Sequence, residues 1–521
     1  MAIRGFWQGA QAEPDRIALV DIDGRAIRAG ELLGSANQLV HGLRAAGLKV
    51  NDVVAMLLPN GAAFLELLLA TQQAGWHIVV INNGLTATEV AYILQDSGAK
   101  AFFSHEKFAG KAAAAAREAG LDQAHCFAIG SVPGFTPYGQ LKAGQATALP
   151  AERIAGQFMQ YTSGTTGKPK GVQRQVYAMD PDQMVGLLAT NLLRYDIEPG
   201  GENAAGRDNV HLCTSPMYHM APLAYSYFSL HFEHKVVLME KWDPEEALKL
   251  IEQHGVTTTH MVPTQFHRLL QLPETTRQKY RISSLRNVMH AAAPCPVDVK
   301  QQLMKWWGEV VYEYYGATEG GGAIAKPKEW LKYPGTVGRA WEGAELRIYD
   351  DAGNRLGPNQ VGTVYMKLSQ DFSYKGDDKK TREGRIENFF TVGDVGYLNE
   401  EGFLFLCDRK IDMIISGGVN IYPAEIEAVF FTHPKVGDVA VFGIPNPEWG
   451  EEVKAVVEPV AGVKGDAALA DELIQYCGER LAKFKVPRSV DFIEQMPRDP
   501  NGKLYKRKLR DPYWAGQSKA I

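Results

Sequence analysis

An α/β fold is predicted for this 521-residue chain, with a large N-terminal domain of doubly wound sheets that includes a β-rich subdomain, and a small C-terminal α/β domain. Three observations predict it. Helix-like and strand-like apolar periods alternate over residues 32–104 and again over 243–262, the pattern of parallel crossovers in a sheet covered on both faces. After Gly335 the pattern becomes short strands separated by turn signals. Beyond Arg409 a helix-and-strand set carries its own apolar positions. The expected divisions are therefore 1–408, with the β-rich part at about 335–408, and 409–521.

Leu32, Leu33, Ala36, Leu39, Val40 and Leu43 recur at helical spacing and stop at Gly47, ahead of a strand at 53–58. A helix at 62–74 and a strand at 78–81 come next. Thr86 and Glu89 then form a capping box for a helix ending by Gly98, before a strand at 101–104. The alanine run 112–116 belongs to a further helix. Asp243 caps a helix with Pro244 at its first position and Gly255 past its end, leading to a strand at 257–262. In the β-rich part, strands are expected over 345–349, 361–368 and 396–407, with turns at Asp351-x-Gly353 and Glu401-Gly402. The last set holds a helix at 423–431, strands at 439–444 and 453–460, a helix at 469–481 and a strand at 490–493.

Composition excludes several function classes. Hydrophobic residues at 45% and charged residues at 22% exclude a disordered or fibrous chain. With 55 basic against 60 acidic side chains, the net charge of -5 gives no long-range attraction to nucleic acid or anionic lipid. The most apolar stretch, 64–81, is broken by Glu66, Gln72, Gln73 and His77, so no integral membrane segment is expected. Residues 1–16 carry charges and a proline where a signal peptide needs a continuous apolar run. Five cysteines stand singly, without a C-x-x-C pair, and suit a reducing cytoplasm better than a disulfide or zinc framework.

The chemistry is concentrated in Tyr161-Thr-Ser-Gly-Thr-Thr-Gly-Lys-Pro-Lys-Gly-Val172, a stretch of glycines and hydroxyls between two apolar runs. Glycine lets successive backbone N–H groups point into one concavity, and Ser163, Thr165 and Thr166 add hydroxyl donors, a combination suited to polyphosphate. It is not a Walker A loop, since Gly164 and Gly167 are too close and Lys168 precedes proline. A surface turn is the alternative for this run taken alone.

This stretch resembles the signature of the adenylate-forming (AMP-binding) superfamily, which includes acyl-CoA synthetases, coumarate ligases, luciferases and peptide-synthetase adenylation domains. Six further segments stand in family order: Pro216-Met-Tyr-His-Met220, Tyr314-Tyr-Gly-Ala-Thr-Glu319, Thr391-Val-Gly-Asp394, Asp408-Arg409, Ser416-Gly-Gly-Val-Asn-Ile-Tyr-Pro-Ala-Glu425 and Pro497-Arg-Asp-Pro-Asn-Gly-Lys503. Together they span about residues 160–503. The resemblance implies a two-step reaction, in which a carboxylate attacks the α-phosphate of ATP to give acyl-AMP and pyrophosphate, and the thiol of coenzyme A then displaces AMP. It implies also that the C-terminal domain is mobile.

Residue by residue, the resemblance implies that Thr162, Ser163, Gly164, Thr165, Thr166, Gly167 and Lys170 hold the phosphates. Thr318 contacts phosphate, and Glu319, with Thr166, binds Mg2+, a cation that prefers hard oxygen ligands. Tyr315 and Gly316 flank adenine, with Ala292, Ala293 and Pro294 opposite. Asp394 accepts from the ribose hydroxyls and Arg409 contacts ribose or phosphate. Lys503 bridges the incoming carboxylate and the α-phosphate, His219 borders the acyl carboxylate, and Gly417 and Gly418 line the pantetheine path of coenzyme A. A loop acid, a turn aspartate, an interdomain ion pair, a solvated basic tail and a core histidine are the alternatives for Glu319, Asp394, Arg409, Lys503 and His219 respectively. One departure concerns the hinge: many relatives carry lysine or aspartate two residues after the arginine, where this chain has Ile411 between Lys410 and Asp412.

The expected activity is an ATP-dependent acyl-CoA synthetase acting on a hydrophobic carboxylic acid, fatty or bulkier. No aspartate stands in Pro216-Met-Tyr-His-Met-Ala-Pro222 to bind a substrate amine, and no carrier segment follows Ile521. Gly320, Gly321 and Gly322 remove bulk where a long or polycyclic acid would lie. The competing readings are an acyl-AMP ligase that loads a carrier protein and a non-catalytic nucleotide-binding protein. An oligomer is compatible with the sequence.

Overall fold

The computed structural model describes residues 4–162, 170–173, 176, 178–200, 209–317, 320–367, 373–374, 384–499 and 502–515. The chain forms two compact units. One comprises Met1–His260, Leu272–Met289 and Gln370–Glu383, and the other Met261–Gln271, His290–Ser369 and Gly384–Ile521.

The first unit is doubly wound. One sheet is parallel throughout, in the order Thr136–Pro137, Cys126–Ile129, Ala99–His105, Val53–Leu57, His77–Val80, Gln157–Phe158. Val53–Leu57 and His77–Val80 are buried at every position, which is why they read as unbroken apolar runs rather than alternating ones. The helix Ala87–Ser97 starts at the anticipated capping box: Thr86 N–H donates to the Glu89 carboxylate at 2.8 Å, and Glu89 N–H donates back to the Thr86 hydroxyl at 3.4 Å. Small side chains let the helix Ala109–Ala119 pack closely, with Ala112, Ala115 and Ala116 in one core cluster with Val90, Ile93 and Leu94.

A second set of parallel strands in this unit runs Ile17–Val20, Lys235–Leu238, Val210–Cys213, Thr258–Met261, with Ala26–Arg28 antiparallel at its edge. The helix Pro244–His254 has the expected Asp243 cap and ends at Gly255. The N-terminal helix Gly5–Ala12 is an addition to the sequence expectations. It is held by its adjacent aromatics: Phe6 N–H donates to His231 Nδ1 at 2.9 Å, and the Trp7 ring lies 4.8 Å from the same imidazole and 5.0 Å from the Arg153 guanidinium.

The second unit is mainly antiparallel. Val311–Ala317 pairs with Gly320–Ala325, which pairs with Arg339–Ala340. The β-rich part pairs Leu346–Tyr349 with Gly362–Lys367, and the latter with Asp394–Leu398, which pairs with Leu404–Arg409. The two expected turns close on side chains. Asp350 Oδ1 accepts from Ala352 N–H and Asn354 N–H at 2.9 and 2.8 Å, and Asn399 Oδ1 accepts from Glu401 N–H and Phe403 N–H at 3.0 and 2.9 Å. Farther on, the long hairpin Val436–Asn446 and Gly450–Pro459 carries Ser489–Phe492 as a parallel neighbour. The helices Pro423–Phe431 and Ala467–Gly478 cover it, burying Ile426, Phe430, Leu469 and Leu473 against Val439, Val441 and Val457. Lys506–Arg510 is a short helix rather than a solvated tail, for Lys506 Nζ meets Glu427 at 2.8 Å with its side chain largely buried.

All five cysteines are free. Burial pushes the thiols of Cys126, Cys213 and Cys407 up to about 11 and that of Cys477 to about 12, so they remain protonated near neutrality. Among the described residues no helix is long and apolar enough to cross a membrane.

Three of the first unit's buried histidines govern its expected pH dependence. His211 Nδ1 lies 3.0 Å from the Thr258 hydroxyl, His231 receives Phe6 N–H, and His234 Nε2 lies 2.9 Å from the Glu198 carbonyl. Burial pushes their values from 6.5 down to about 3, 3 and 4. The unfolded chain therefore binds more protons than the fold below about pH 6.5, so stability is complete above that pH and is lost as pH falls toward 4. The melting temperature, followed from pH 8 to pH 4.5, is expected to drop steeply below about pH 6, each histidine contributing up to about 1.4 kcal/mol per pH unit. A melting temperature that stays level from pH 7 to pH 5 contradicts this.

Candidate active site

Asp394 begins the strand Asp394–Leu398 just after a turn in which Gly393 N–H donates to the Thr391 hydroxyl at 3.0 Å. Directly across the antiparallel pair stands Arg409. Its Nε lies 3.4 Å from Asp394 Oδ1, while Tyr315 Oη, from the strand Val311–Ala317, donates to Asp394 Oδ2 at 2.7 Å. Both carboxylate oxygens are thus held from different strands, and the Asp394 and Tyr315 side chains are buried while that of Arg409 is exposed. The ion pair alone is worth little at an exposed guanidinium, so orientation rests chiefly on the buried phenol.

Lys503 belongs to the same unit. Burial, and then the charge of Arg409, lower its pKa below the ordinary lysine value of 10.5. Two cations are therefore kept in electrostatic range of each other, one of them, Arg409, paired with the buried Asp394 carboxylate. That arrangement is stabilised by an anion with several oxygens, such as phosphate.

Three further site segments are placed by the strands and helices that flank them in the chain. Gly316 pairs with Gly322. Ala293 lies between the strand Asn287–His290 and the helix Val297–Trp307, next to Ala292, which has a positive φ of 77°. Gly417 and Gly418 form the turn between Ile414–Ser416 and Val419–Ile421, where Gly417 N–H donates to the Trp449 carbonyl at 2.8 Å. The room left by Gly322 is filled by the Trp341 indole, whose ring atoms lie 2.4 Å from an ideal Cβ there. This glycine makes space for the tryptophan.

In the first unit, Gln160–Thr162 pairs with Lys170–Gln173, placing Thr162 opposite Lys170. The Tyr161 phenol donates to Asp96 Oδ2 at 2.6 Å and fixes the incoming strand to the helix Ala87–Ser97. His219 is half-buried at the start of the helix Met220–His231, 4.5 Å from the Tyr218 ring. Ser163, Gly164, Thr165, Thr166, Gly167, Thr318 and Glu319 lie outside the described residues.

Two supports are not singled out by the motifs. Asn60, buried, donates to the Ser215 and Met239 carbonyls at 3.1 and 2.9 Å and accepts from Met217 N–H at 2.8 Å, fastening the segment that leads to His219. In the second unit Lys300 Nζ, fully buried, meets Glu313 Oε2 at 2.8 Å and lies over the Trp330 ring at 4.5 Å, with His290 Nε2 3.4 Å from the same carboxylate. Glu313 stands two residues before Tyr315 on one strand, hence on the same face. Burial would raise Glu313, but Lys300 and His290 hold it down at about 2, so the carboxylate is ionised. A signal exists in the sequence, because Lys300 interrupts the helical stripe of Val299, Leu303, Met304 and Trp307.

The AMP-binding enzyme family model matches residues 6–372 and the AMP-binding enzyme C-terminal domain model matches residues 425–503. The chain belongs to the AMP-binding enzymes. Among relatives of this AMP-binding enzyme is a 2-succinylbenzoate–CoA ligase of Bacillus pumilus (strain SAFR-032), 32% identical over 515 residues and 96% of each chain. A fatty acid–[acyl-carrier-protein] ligase, ScoC, of Streptomyces coeruleorubidus is 30% identical over 98% of this chain and 96% of its own. Among solved structures, o-succinylbenzoate CoA synthetase from Bacillus subtilis in complex with its acyl-adenylate intermediate has a TM-score of 0.79 at 28% identity, covering 97% of this chain and 98% of that one. The α/β architecture of this AMP-binding enzyme matches that of its structural relative.

The buried Lys300–Glu313 pair beneath Tyr315 makes a thermodynamic prediction. Glu313→Gln leaves a buried ammonium without its counter-charge and is expected to cost about 3–5 kcal/mol, whereas Lys300→Met combined with Glu313→Leu recovers most of that loss. Equilibrium urea unfolding of the three chains checks this, and a double variant as unstable as the single one contradicts it.

Proposed function

We propose that this AMP-binding enzyme is an ATP-dependent acyl-CoA synthetase for a hydrophobic carboxylic acid, either fatty or bulkier. A carboxylate oxygen attacks the α-phosphorus of ATP, the bond to the β-phosphate oxygen breaks, and pyrophosphate leaves. The thiol of coenzyme A then attacks the acyl carbon of acyl-AMP, losing its proton, and AMP leaves. The observation that supports this reading is Asp394, buried and held by Tyr315 and Arg409, with Lys503 of the same unit in the electrostatic range of Arg409.

Each group has a role its chemistry suits. Asp394 accepts from the ribose hydroxyls, with Tyr315 setting its orientation and, with Gly316 and Ala293, bordering adenine. Arg409 and Lys503 take the α-phosphate side, where Lys503 also draws the substrate carboxylate toward phosphorus and offsets the developing charge. Thr162, Ser163, Gly164, Thr165, Thr166, Gly167, Lys170 and Thr318 hold the β- and γ-phosphates, and Mg2+, when bound, would be held by Glu319 and Thr166 and would neutralise phosphate charge. His219 borders the carboxylate of the acid, and Gly417 and Gly418 the pantetheine arm. Residues 1–408 carry the nucleotide and acid sites and 409–521 carry Lys503. A reducing cytoplasm suits the five free thiols.

A second reading has one observation in its favour, the likeness to a fatty acid–[acyl-carrier-protein] ligase. In that case the thiol belongs to a carrier protein. The two are separated by offering free coenzyme A or a phosphopantetheinylated carrier protein and scoring the thioester formed.

The test is a panel of fatty, aryl and steroid-type carboxylates assayed for acid-dependent pyrophosphate and AMP release. Lys503→Ala is expected to lower adenylation about 10²- to 10³-fold. The rate should also decline as pH rises through a value below 10.5, where Lys503 loses its proton, and Lys503→Arg should move that decline to higher pH. Release of pyrophosphate by no acid of the panel, or full activity in Lys503→Ala, refutes the reading.

A further inference from the structure

Lys503 stands on one of two antiparallel arms, 497–499 and 502–505. Arg498 and Leu504 pair as a bridge, Tyr505 N–H donates to the Pro497 carbonyl at 2.9 Å and Asp499 N–H to the Lys503 carbonyl at 3.0 Å. Gly502 has a φ of +79°, and an ideal Cβ there would come 2.4 Å from the Thr264 hydroxyl, so this position takes glycine both for its backbone and for its close approach.

One side chain ties this hairpin to the sheet. Arg498 Nε and Nη2 donate to Asp438 Oδ2 and Oδ1 at 2.5 and 2.7 Å, and its Nη1 donates to the Gly502 carbonyl at 2.7 Å. Both side chains are largely buried, at 12% and 8% exposure. Asp438 belongs to the strand Val436–Asn446, whose pairing with Gly450–Pro459 runs along almost its whole length. The Gly502 carbonyl and the Lys503 N–H are the two ends of one peptide plane. Arg498 holds the first, and Asp499 Oδ1 accepts from the second at 3.0 Å. A planar peptide fixed at both ends cannot rotate, so the Lys503 Cα is anchored to the sheet.

A lysine side chain has four rotatable bonds, and where its ammonium can reach depends first on where its Cα is held. Misplacement of a reacting group by about 1 Å costs on the order of 10²-fold in rate. We infer that Arg498, locked bidentate by Asp438, is a positioning residue for adenylation that clamps the Gly502–Lys503 peptide and so sets where Lys503 delivers its charge. This rests on the reading that Lys503 serves adenylation. A purely structural ion pair is the competing account, and it makes a different set of measurements move.

Arg498→Lys separates the two. Lysine keeps a charge for Asp438 but presents one point donor, not a fork, and cannot span Asp438 and the Gly502 carbonyl together. With the acid that gives the wild-type chain its highest rate in the panel above, Arg498→Lys is expected to lower kcat for acid-dependent pyrophosphate release about 30-fold or more while the KM for ATP moves less than about 3-fold. Thioester formation from supplied acyl-AMP and coenzyme A should stay within about 3-fold, and the melting temperature within about 2 °C. In the Lys503→Ala background Arg498→Lys should add less than about 2-fold, because the two changes remove one function.

Wild-type adenylation in Arg498→Lys, an equal loss in both half-reactions, or a multiplicative loss on top of Lys503→Ala overturns the inference while leaving the role of Lys503 standing. Full adenylation by Lys503→Ala overturns that role and the inference with it. Should Arg498→Lys not fold, Asp438→Asn is read in the same way, and failure of both to fold makes the pair a stability element and overturns the inference.

Discussion

The constraint on which the second unit's site depends is the placement of Asp394, a buried carboxyl group that must point one way. Its oxygens need polar partners, because burying a polar group without them is expensive. Tyr315 gives Oδ2 a hydrogen-bond donor and Arg409 gives Oδ1 a counter-charge. Those partners come from separate strands, so the carboxylate is aligned only when the strands Val311–Ala317, Asp394–Leu398 and Leu404–Arg409 are all in place. Burial, and then the same guanidinium, depress the Lys503 pKa, which puts the amine in the field of the group that pairs with Asp394.

Around this field the chain repeats one construction. A residue given a role in the proposed reaction, or its neighbour, is braced by a polar residue that has none. Glu313 shares the strand and face of Tyr315 and is itself held by Lys300 and His290. Asn60 fastens the segment before His219, Asp96 holds Tyr161 next to Thr162, and Asp438 with Arg498 holds the arm of Lys503. Each brace satisfies the backbone or side-chain groups that burial would otherwise leave costly. Precision in a site of this kind comes from rigid supports more than from the reacting groups, whose side chains are long and rotatable.

How legible this was differs between the parts. Helices with a capping pair or a closing glycine, such as Ala87–Ser97 and Pro244–His254, announce their ends in local chemistry, and the strands Val53–Leu57 and Gly362–Lys367 announce themselves by run length and turns. The site residues are legible because they fall in ordered motifs. Their braces are less so: Lys300 shows as a charge in an apolar helical stripe, but Asn60 and Asp438 are ordinary residue types whose partners lie far away in the chain, Asn60 meeting Met217 and Asp438 meeting Arg498. The helix Gly5–Ala12 is hard to read for the same reason, as its anchor His231 is distant in sequence. The five basic residues from Lys503 to Arg510 look like a solvated tail until Glu427 is placed against Lys506.

The departure at Ile411 can be argued from its neighbours. Lys410 Nζ meets Asp351 at 2.6 Å, in the turn of the β-rich part, while Asp412 Oδ1 lies 3.8 Å from Arg510 in the C-terminal helix Lys506–Arg510. Polar ties on the two sides of Ile411 therefore run to different parts of the chain, although both ties lie within one compact unit. A charge at position 411 itself would compete with one or the other of these partners. An aliphatic residue, 48% exposed, does not compete. The two pairs mark residue 411 as the point where the chain passes from one set of electrostatic contacts to the next.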